Sequence, residues 1–583
     1  MTTPRLTRVV GSLAEASPLP EVSLYELTRV GSGSLMGEVV RIDGDTATIE
    51  VFEDTNGLAI GEPVEPTGTP LTAHLGPGLL GSVLDGVGRP LSLLAASQGD
   101  FLLPGGRATT LDASTRWRFA PERRRGERVG GGDWLGVVEE RPGIAHRILV
   151  PPGRTGEIAE LDAGEFTIDE PVGALTDGTP LHLAHRWPVR VPRPAATRLS
   201  ADRPFVTGQR VFDLLFPVAE GGSVALPGGF GTGKTVIEQS LARFAEADII
   251  VYVGCGERGN EMADVLTEFP ELVDPKTGRS LMDRSILVVN TSNMPVAARE
   301  ASVYLGITLA EYYRDMGLRV ALMADSISRW AEALREIGSR LREMPGEEGY
   351  PTHLAHRLGQ LYERAGRVRC AGSPEREGAL TLVAAVSPPG GDFSEPVTQA
   401  SLRVVGALWA LDPALAQRRQ FPAVDWEVSY SLHAEGTATG FAALGGADWP
   451  ALRRDVLGIL QREREIEEIA GLVGRDALGD DDRLLLEVAR IVRERVIGQN
   501  AFDPNDASSS IRKTHALASL VVALHAAGRE ALTAGTPLDR LRVGAAGAAI
   551  TAVRESGEDT LDDRVEAARR AIAELRGGLE AAG

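Results

Sequence analysis

Lysine is almost missing from this chain of 583 residues: apart from Lys234, Lys276 and Lys513, every strongly basic side chain is an arginine. A GC-rich genome accounts for such a bias, so the informative point is where lysine is kept. Cysteine is nearly as scarce, with only Cys255 and Cys370. That excludes a disulfide framework and a cysteine metal site, and it leads us to expect a reducing, intracellular compartment. Long apolar runs are absent as well. The opening MTTPRLTRVVGSLAEASP has no signal-peptide core, and no stretch approaches the roughly 20 apolar residues of a membrane span. A soluble cytoplasmic chain is expected, with any membrane contact made through other proteins. Cationic excess is lacking too: the net charge of −20 argues against nucleic acid as a partner. The nine histidines are scattered without metal-ligand spacing.

What is present is a complete phosphate-binding loop. Gly228, Gly229, Phe230, Gly231, Thr232, Gly233, Lys234 and Thr235 read GGFGTGKT. Ser223 to Leu226 before it has the character of a buried strand. The residues from Val236 to Ala247 read as a helix with apolar Val236, Ile237, Leu241 and Phe244. Backbone N–H groups of the loop and helix start would wrap a polyphosphate, Lys234 would neutralise its β/γ oxygens, and Thr235 would offer a hydroxyl to magnesium. A slim ammonium does this in a way that a guanidinium fork does not copy, which explains a lysine at 234 in a chain of arginines. With Val236, these are the expected nucleotide-binding residues, and a nucleoside triphosphate is the expected ligand.

A chain of this length needs several cores. Residues 1–70 alternate around turns such as Asp43-Gly44-Asp45 and predict a small β-barrel. Residues 71–110 read as a connector and the start of the nucleotide-binding domain, and glycine- and proline-rich 111–190 as an inserted β-rich domain. In 191–435, apolar strands at Val224–Leu226, Ile249–Val253, Ile286–Val289, Val320–Met323 and Leu380–Val386 alternate with helices, predicting a parallel sheet covered on both faces. Residues 436–583 read as helices, at Leu452–Leu472, Asp482–Val496, Ser508–Ala527 and Arg564–Leu579. The expected class is multidomain α/β: N-terminal β-barrel, β-rich insertion, P-loop parallel-sheet domain of RecA-like type, and C-terminal helical bundle.

Hydrolysis also needs a group that orients water. In VGCGERGN, Glu257 falls just past the end of an apolar strand, the edge where open α/β sheets collect ligand groups. Glu257 is the candidate water-polarising base and Arg258 the candidate γ-phosphate contact. An exposed turn pair is the other reading, and Gly254, Gly256 and Gly259 favour backbone bent close to a ligand. Arg319-Val-Ala-Leu-Met-Ala-Asp325 is an apolar strand delivering a carboxylate, so Asp325 is expected to hold magnesium through water. Cys255, with no histidine or second cysteine nearby in sequence, reads as a small buried filler.

Together with TGQRVFDLLFPVAEGG, LMADSISRWAEALREI, EMPGEEGYPTHLAHRLGQLYERAG, SPPGGDFSEPV, QFPAVDWEVSYSL and IGQNAFDP, these segments closely resemble the catalytic A subunit family of V-type and archaeal-type rotary ATPases. The phrases run in family order from about 207 to 504, and the barrel, insertion and helical end extend the likeness over essentially the whole chain. The long insertion and Phe230 in the loop set it apart from the F-type beta subunit, and the intact GKT from the non-catalytic B subunit. The resemblance implies an ATP hydrolase or synthase using Mg²⁺, with ATP and ADP as substrate and product. It also implies alternation of three such chains with three B subunits that supply an arginine finger, central-shaft and peripheral-stalk partners, and a membrane ion ring, with the head peripheral to the cytoplasmic membrane face. It further implies that Phe421 and Phe502 line the adenine, core packing being the other role open to them. A homohexameric secretion or flagellar export ATPase is the alternative, and an RNA translocase of the termination-factor type is disfavoured by the acidic balance and the insertion. Three positions depart from the family pattern: Gly229 for proline or alanine, Ile327 for threonine, and Thr232 where eukaryotic relatives often carry an oxidisable cysteine.

Overall fold

Alternation around Asp43-Gly44-Asp45 becomes a hairpin in the computed structural model, which describes residues 3–99, 105–106, 108–474 and 477–576. Asp43 pairs with Thr46, and Gly44 takes the left-handed backbone (φ +62°) that so short a turn demands. The hairpin belongs to a six-stranded antiparallel sheet in which Arg5–Val10, Leu13–Ser17, Thr46–Val51, Leu35–Asp43, Glu26–Val30 and Val64–Pro70 follow one another. A bridge between Arg5 and Pro63 brings its two edges together. Leu6, Ala14, Val30, Val39, Ile49 and Val64 fill the interior, as the inward half of each alternating strand must.

The chain divides into two compact units. One comprises Met1–Ser200, Gly221–Ala225 and Ala247–Val405, and the other Ala201–Glu220, Leu226–Glu246 and Gly406–Gly583. In the first unit the barrel is followed by the glycine-rich region, which forms two four-stranded antiparallel sheets. Phe119, Leu135, Ile148, Ile158, Val172 and Leu181 share one core between them. The strand His185–Pro188 then pairs with Thr72–Leu75, so the inserted β-structure leaves and returns at one place. Part of the expected connector, residues 100–104 and 107, lies outside the described residues.

The main sheet of the first unit runs in the order Glu377–Val386, Arg319–Asp325, Ile249–Glu257, Ser285–Thr291 and Val83–Asp85, with residues 223–225 of the strand Ser223–Pro227 beside Glu377–Val386. From Glu377–Val386 onward these strands are parallel. All five expected strands are present. They were legible because a strand covered on both faces must be apolar throughout, and Ile249 to Gly256 are all buried.

The helix Val296–Asp315 packs on this sheet and is buried along its whole length. It carries charges that are therefore paired. Glu300 receives Arg190, whose guanidinium also holds Glu38 of the barrel (2.7 Å to each). Glu311 receives Arg364 at 2.6 Å, and Asp315 receives Arg193 at 2.7 Å. Burial pushes the Glu38 carboxyl above its ordinary range in spite of Arg190.

The second unit is helical beyond residue 437, with helices Ala438–Gly445, Trp449–Val473, Asp480–Ile491, Ile511–Thr533, Val543–Arg554 and Leu561–Ala573. Phe441 stacks on Trp449 at 5.3 Å, and Leu484, Val488, Leu517, Leu524 and Ile550 are fully buried. Two of these helices were not expected from sequence. Ala438–Gly445 and Val543–Arg554 are built largely of alanine and glycine, whose small side chains give a weak apolar period. The expected helix 482–496 ends at Ile491 and continues as a wider turn, Val492–Ile497. The expected last helix reaches only Ala573, and residues 577–579 lie outside the described residues. No helix among the described residues is long and apolar enough to cross a membrane.

The Arg190 bridge generates a stability test. Arg190→Met leaves Glu38 and Glu300 buried beside each other without the guanidinium that bonds both, with only the weaker field of Arg357 to offset them, and breaking such a buried pair costs about 3–5 kcal/mol. Urea denaturation of the full chain should show a lower midpoint for the first transition, and an unchanged midpoint would refute this role for the bridge.

Candidate functional site

The phosphate loop lies in the second unit. Its conformation needs glycine at three positions and not at a fourth. Gly231 (φ +77°) and Gly233 (φ +93°) are left-handed, and a Cβ on Gly228 would meet Thr232 Oγ1 at 2.6 Å. Gly229 has ordinary backbone and only Pro413 Cγ nearby, at 3.7 Å, so this position has room for a Cβ. Buried Thr232 donates its hydroxyl to Gly229 O at 2.8 Å and so staples the loop. Lys234 Nζ donates to Gly228 O at 2.7 Å and Gly229 O at 3.1 Å, which curls the ammonium back over the loop it serves.

Gly233 caps the helix Lys234–Phe244, placing Lys234 and Thr235 in its first turn, where N–H groups have no carbonyl partner within the helix. Ile237 and Leu241 bury this helix against the core. Val236, expected among the apolar residues, is about half exposed. Phe230 at the loop's tip is 81% exposed.

Phe421 is brought to the loop: a Cβ on Gly233 would lie 3.6 Å from its ring. The ring is 42% exposed, and Phe502 is 94% exposed. Neither is a core phenylalanine, so the packing role left open by the sequence is excluded for both.

In the first unit, Glu257 and Asp325 end neighbouring parallel strands, with Gly254 directly opposite Asp325. Asp325 is buried, and the Tyr252 hydroxyl donates to it at 3.4 Å. Glu257 has its carboxyl pushed up to about 8, first by burial, then by the charge of Asp325 and by Glu261, with Arg329 acting the other way. Of the three nearby glycines only Gly256 takes left-handed backbone (φ +71°), and a Cβ there would also strike Arg329 and Arg299. Gly254 instead makes room for Met262 Sδ, and Gly259 is unconstrained. Arg258 caps the next helix, Gly259–Glu271, with a largely exposed side chain 3.8 Å from Glu261.

Sequence reading missed Glu261 and Arg329. Both lie in the first turn of the helix that follows the strand of a recognised residue, Glu257 or Asp325, so each is returned to the same sheet edge by a strand-to-helix turn that residue type alone does not reveal. Ile327 is fully buried at the start of the helix Ile327–Arg340. Cys255 is buried, its Sγ 3.5 Å from Arg299 O, and burial pushes the thiol up to about 12. Cys370 is likewise raised, to about 11. Both are poor thiolates, and for Cys255 this fits the filler reading.

Four family models match successive parts of the chain. They are the ATP synthase alpha/beta family beta-barrel domain over 6–68, the alpha/beta subunit barrel-sandwich domain over 108–190, the alpha/beta family nucleotide-binding domain over 208–431, and the C-terminal domain of V and A type ATP synthase over 441–541. The V-type ATP synthase alpha chain of Anaeromyxobacter dehalogenans strain 2CP-1 is 54% identical over 576 residues, 99% of each chain. An A-type ATP synthase A subunit of Methanospirillum hungatei is 52% identical over 541 residues, 93% of this chain and 92% of that one. Among solved structures, the assembled ATPase EscN of the enteropathogenic E. coli type III secretion system matches with a TM-score of 0.63. It covers 89% of this chain and 100% of that one at 21% identity, a likeness of fold alone. Full-length identity above one half and a C-terminal domain of the V and A type together settle the choice left open between rotary and export families: this chain belongs to the alpha-chain, or A-subunit, family of V- and A-type ATP synthases.

Proposed function

We propose that this chain is the part of a V/A-type rotary ATP synthase where MgATP is made or hydrolysed, with Glu257 as the group that takes a proton from the attacking water. The observation that carries this reading is the placement of Glu257 beside Asp325 at the carboxyl ends of neighbouring strands, in a carboxyl environment that raises its proton affinity. A base whose pKa lies near the working pH is the one best matched to moving a proton.

The remaining roles follow from the chemistry of each group. Lys234 and the N–H groups of residues 229–235 take the β/γ phosphates, which need a mobile cation and a helix start. Arg258, exposed and beside Glu261, contacts the γ-phosphate. Phe421 and Phe502 offer ring faces to the adenine. Hydroxyl and carboxylate oxygens suit a hard cation, so Thr235 and, through water, Asp325 would hold magnesium. When bound, the ion offsets phosphate charge.

The partners belong to the same proposal. B subunits in alternation with this chain supply an arginine finger, the central shaft and peripheral stalk connect the head to an ion ring, and the head is peripheral to the membrane. Such fingers are worth about 1,000- to 100,000-fold in rate.

Two tests follow. The isolated chain should hydrolyse MgATP slowly, and mixing with B and shaft subunits of the same genome should yield a six-chain head at least about 1,000-fold faster. Full activity in a homohexamer indifferent to B would defeat the proposal. In Glu257→Gln, calorimetry should find MgATP binding retained while turnover of the assembled head falls to background, and near-normal turnover would remove Glu257 as the base. The same substitution has a pH signature. A raised folded-state pKa favours folding fully below about 4.5, and that contribution is lost as pH rises through about 8. The gain in melting temperature of Glu257→Gln over the parent should therefore grow between pH 6 and pH 9.

A further inference from the structure

Gln499 is buried in the second unit and uses every hydrogen-bonding group it has except its own carbonyl. Its backbone N–H donates to Phe421 O at 2.9 Å. Its side-chain Nε2 donates to Gly208 O at 3.1 Å and Asp506 O at 3.0 Å, and its Oε1 accepts from the Arg210 N–H. One residue thus ties together three stretches distant in sequence.

Arg210, fully buried, works from the same corner. Its guanidinium donates to Val496 O and Gly498 O and pairs with Asp506 Oδ1 at 2.7 Å. Asp506 Oδ2 in turn accepts from the Asn500 N–H at 2.9 Å. The far end of the loop is fixed by the same stretch: Ser509 N–H donates to Gly208 O at 2.9 Å, and Gln209 Nε2 to Ala507 O at 3.0 Å. Gly208 to Arg210 therefore clamp both ends of residues 498–509, and exposed Phe502 stands at the crown of that loop. Beneath it, Phe502 N–H donates to Asn500 Oδ1 at 3.1 Å.

We propose that Gln499, seated by Arg210, is a positioning residue that sets the spacing of Phe421 and Phe502 and so the affinity for the nucleobase. The proposal rests on the reading that these two rings take the adenine. Gln499 reaches no ligand itself. Its backbone holds Phe421, its side chain fixes that backbone, and Phe502 follows within three residues. Every polar atom of the Gln499 side chain is satisfied, and a buried network of this kind is costly to leave half made. Loosening it should weaken contacts to the base and leave the phosphate loop, to which none of the hydrogen bonds just named runs, as it was.

The experiment compares MgATP with magnesium tripolyphosphate, a ligand without base or ribose, by calorimetry on the full-length chain. Gln499→Met removes both side-chain donors and the acceptor while keeping the backbone N–H. Gln499→Glu keeps the shape and the acceptor for Arg210 N–H but loses both donors, and serves if the methionine variant does not fold. Phe421→Ala examines the slot itself. Base stacking on aromatic side chains sets the scale, so MgATP binding should weaken about tenfold in either Gln499 variant, with tripolyphosphate within about twofold. In the assembled head, KM should rise and kcat hold.

Weaker ATP binding in Phe421→Ala with none in the Gln499 variants would overturn the positioning role and leave the slot standing. Equal losses for both ligands in the Gln499 variants would overturn it too, placing Gln499 in general support of the unit. No effect of Phe421→Ala would remove the slot reading, and the positioning role with it.

Discussion

Burying a helix that carries charge is the constraint around which the first unit is arranged. The helix Val296–Asp315 has no face left to water, yet it includes Arg299, Glu300, Glu311, Arg314 and Asp315. An unpaired charge there would cost several kcal/mol. Each carboxylate is therefore met by an arginine from a segment remote in sequence: Arg190 and Arg193 from the stretch after the inserted sheets, and Arg364 from the strand-leading turn at Ala365. The pairs fix where the chain must pass. The barrel is tied in by Arg190 through Glu38, and the strands ending in Glu257 and Asp325 lie against the same helix. The placement of the two carboxylates thus depends on ion pairs far from them in sequence. Arginine is apt for this work, because a guanidinium can satisfy two carboxylates at once, as Arg190 does.

Where the sequence was legible, a single physical demand left a short-range mark. A strand buried on both faces has to be apolar throughout, so the parallel sheet could be read. A loop that needs left-handed backbone has to be glycine, so Gly231 and Gly233 stood out. Glu257 and Asp325 were found as carboxylates at strand ends. What was hidden depends on tertiary placement. Nothing in the local pattern says that Glu300 meets Arg190 and Glu38, or that alanine-rich Val543–Arg554 is a helix, because that helix draws its stability from neighbours rather than from its own periodicity. The glycines around Glu257 show the limit of reading by residue type: three look alike in sequence, and only Gly256 bends the chain, while Gly254 yields space to Met262.

Each of the three positions that depart from the expected family pattern has a local structural setting of its own. Gly229 has neither unusual backbone nor close contacts, so the position does not depend on its side chain. Ile327 sits fully buried at the start of its helix, where an apolar side chain is suited and no hydroxyl is left to satisfy. Thr232 gives the loop an internal hydrogen bond to Gly229 O, and with both thiols of the chain buried and held well above the usual range, oxidation has no exposed thiolate to attack.

The proton affinity of Glu257 bears on why such a protein should depend on its surroundings. Burial, Asp325 and Glu261 all favour the protonated form, and Arg329 opposes them. Arg329 is itself engaged by both oxygens of Glu332 at 2.8 Å, which blunts its effect. In this setting the carboxyl favours its protonated form more than a solvated carboxyl does. Positive charge added close to Glu257 shifts that balance toward the ionised form, by the same electrostatic interaction through which Asp325 and Glu261 shift it the other way. The proton affinity of Glu257 thus follows from burial first and from the charges standing near it second.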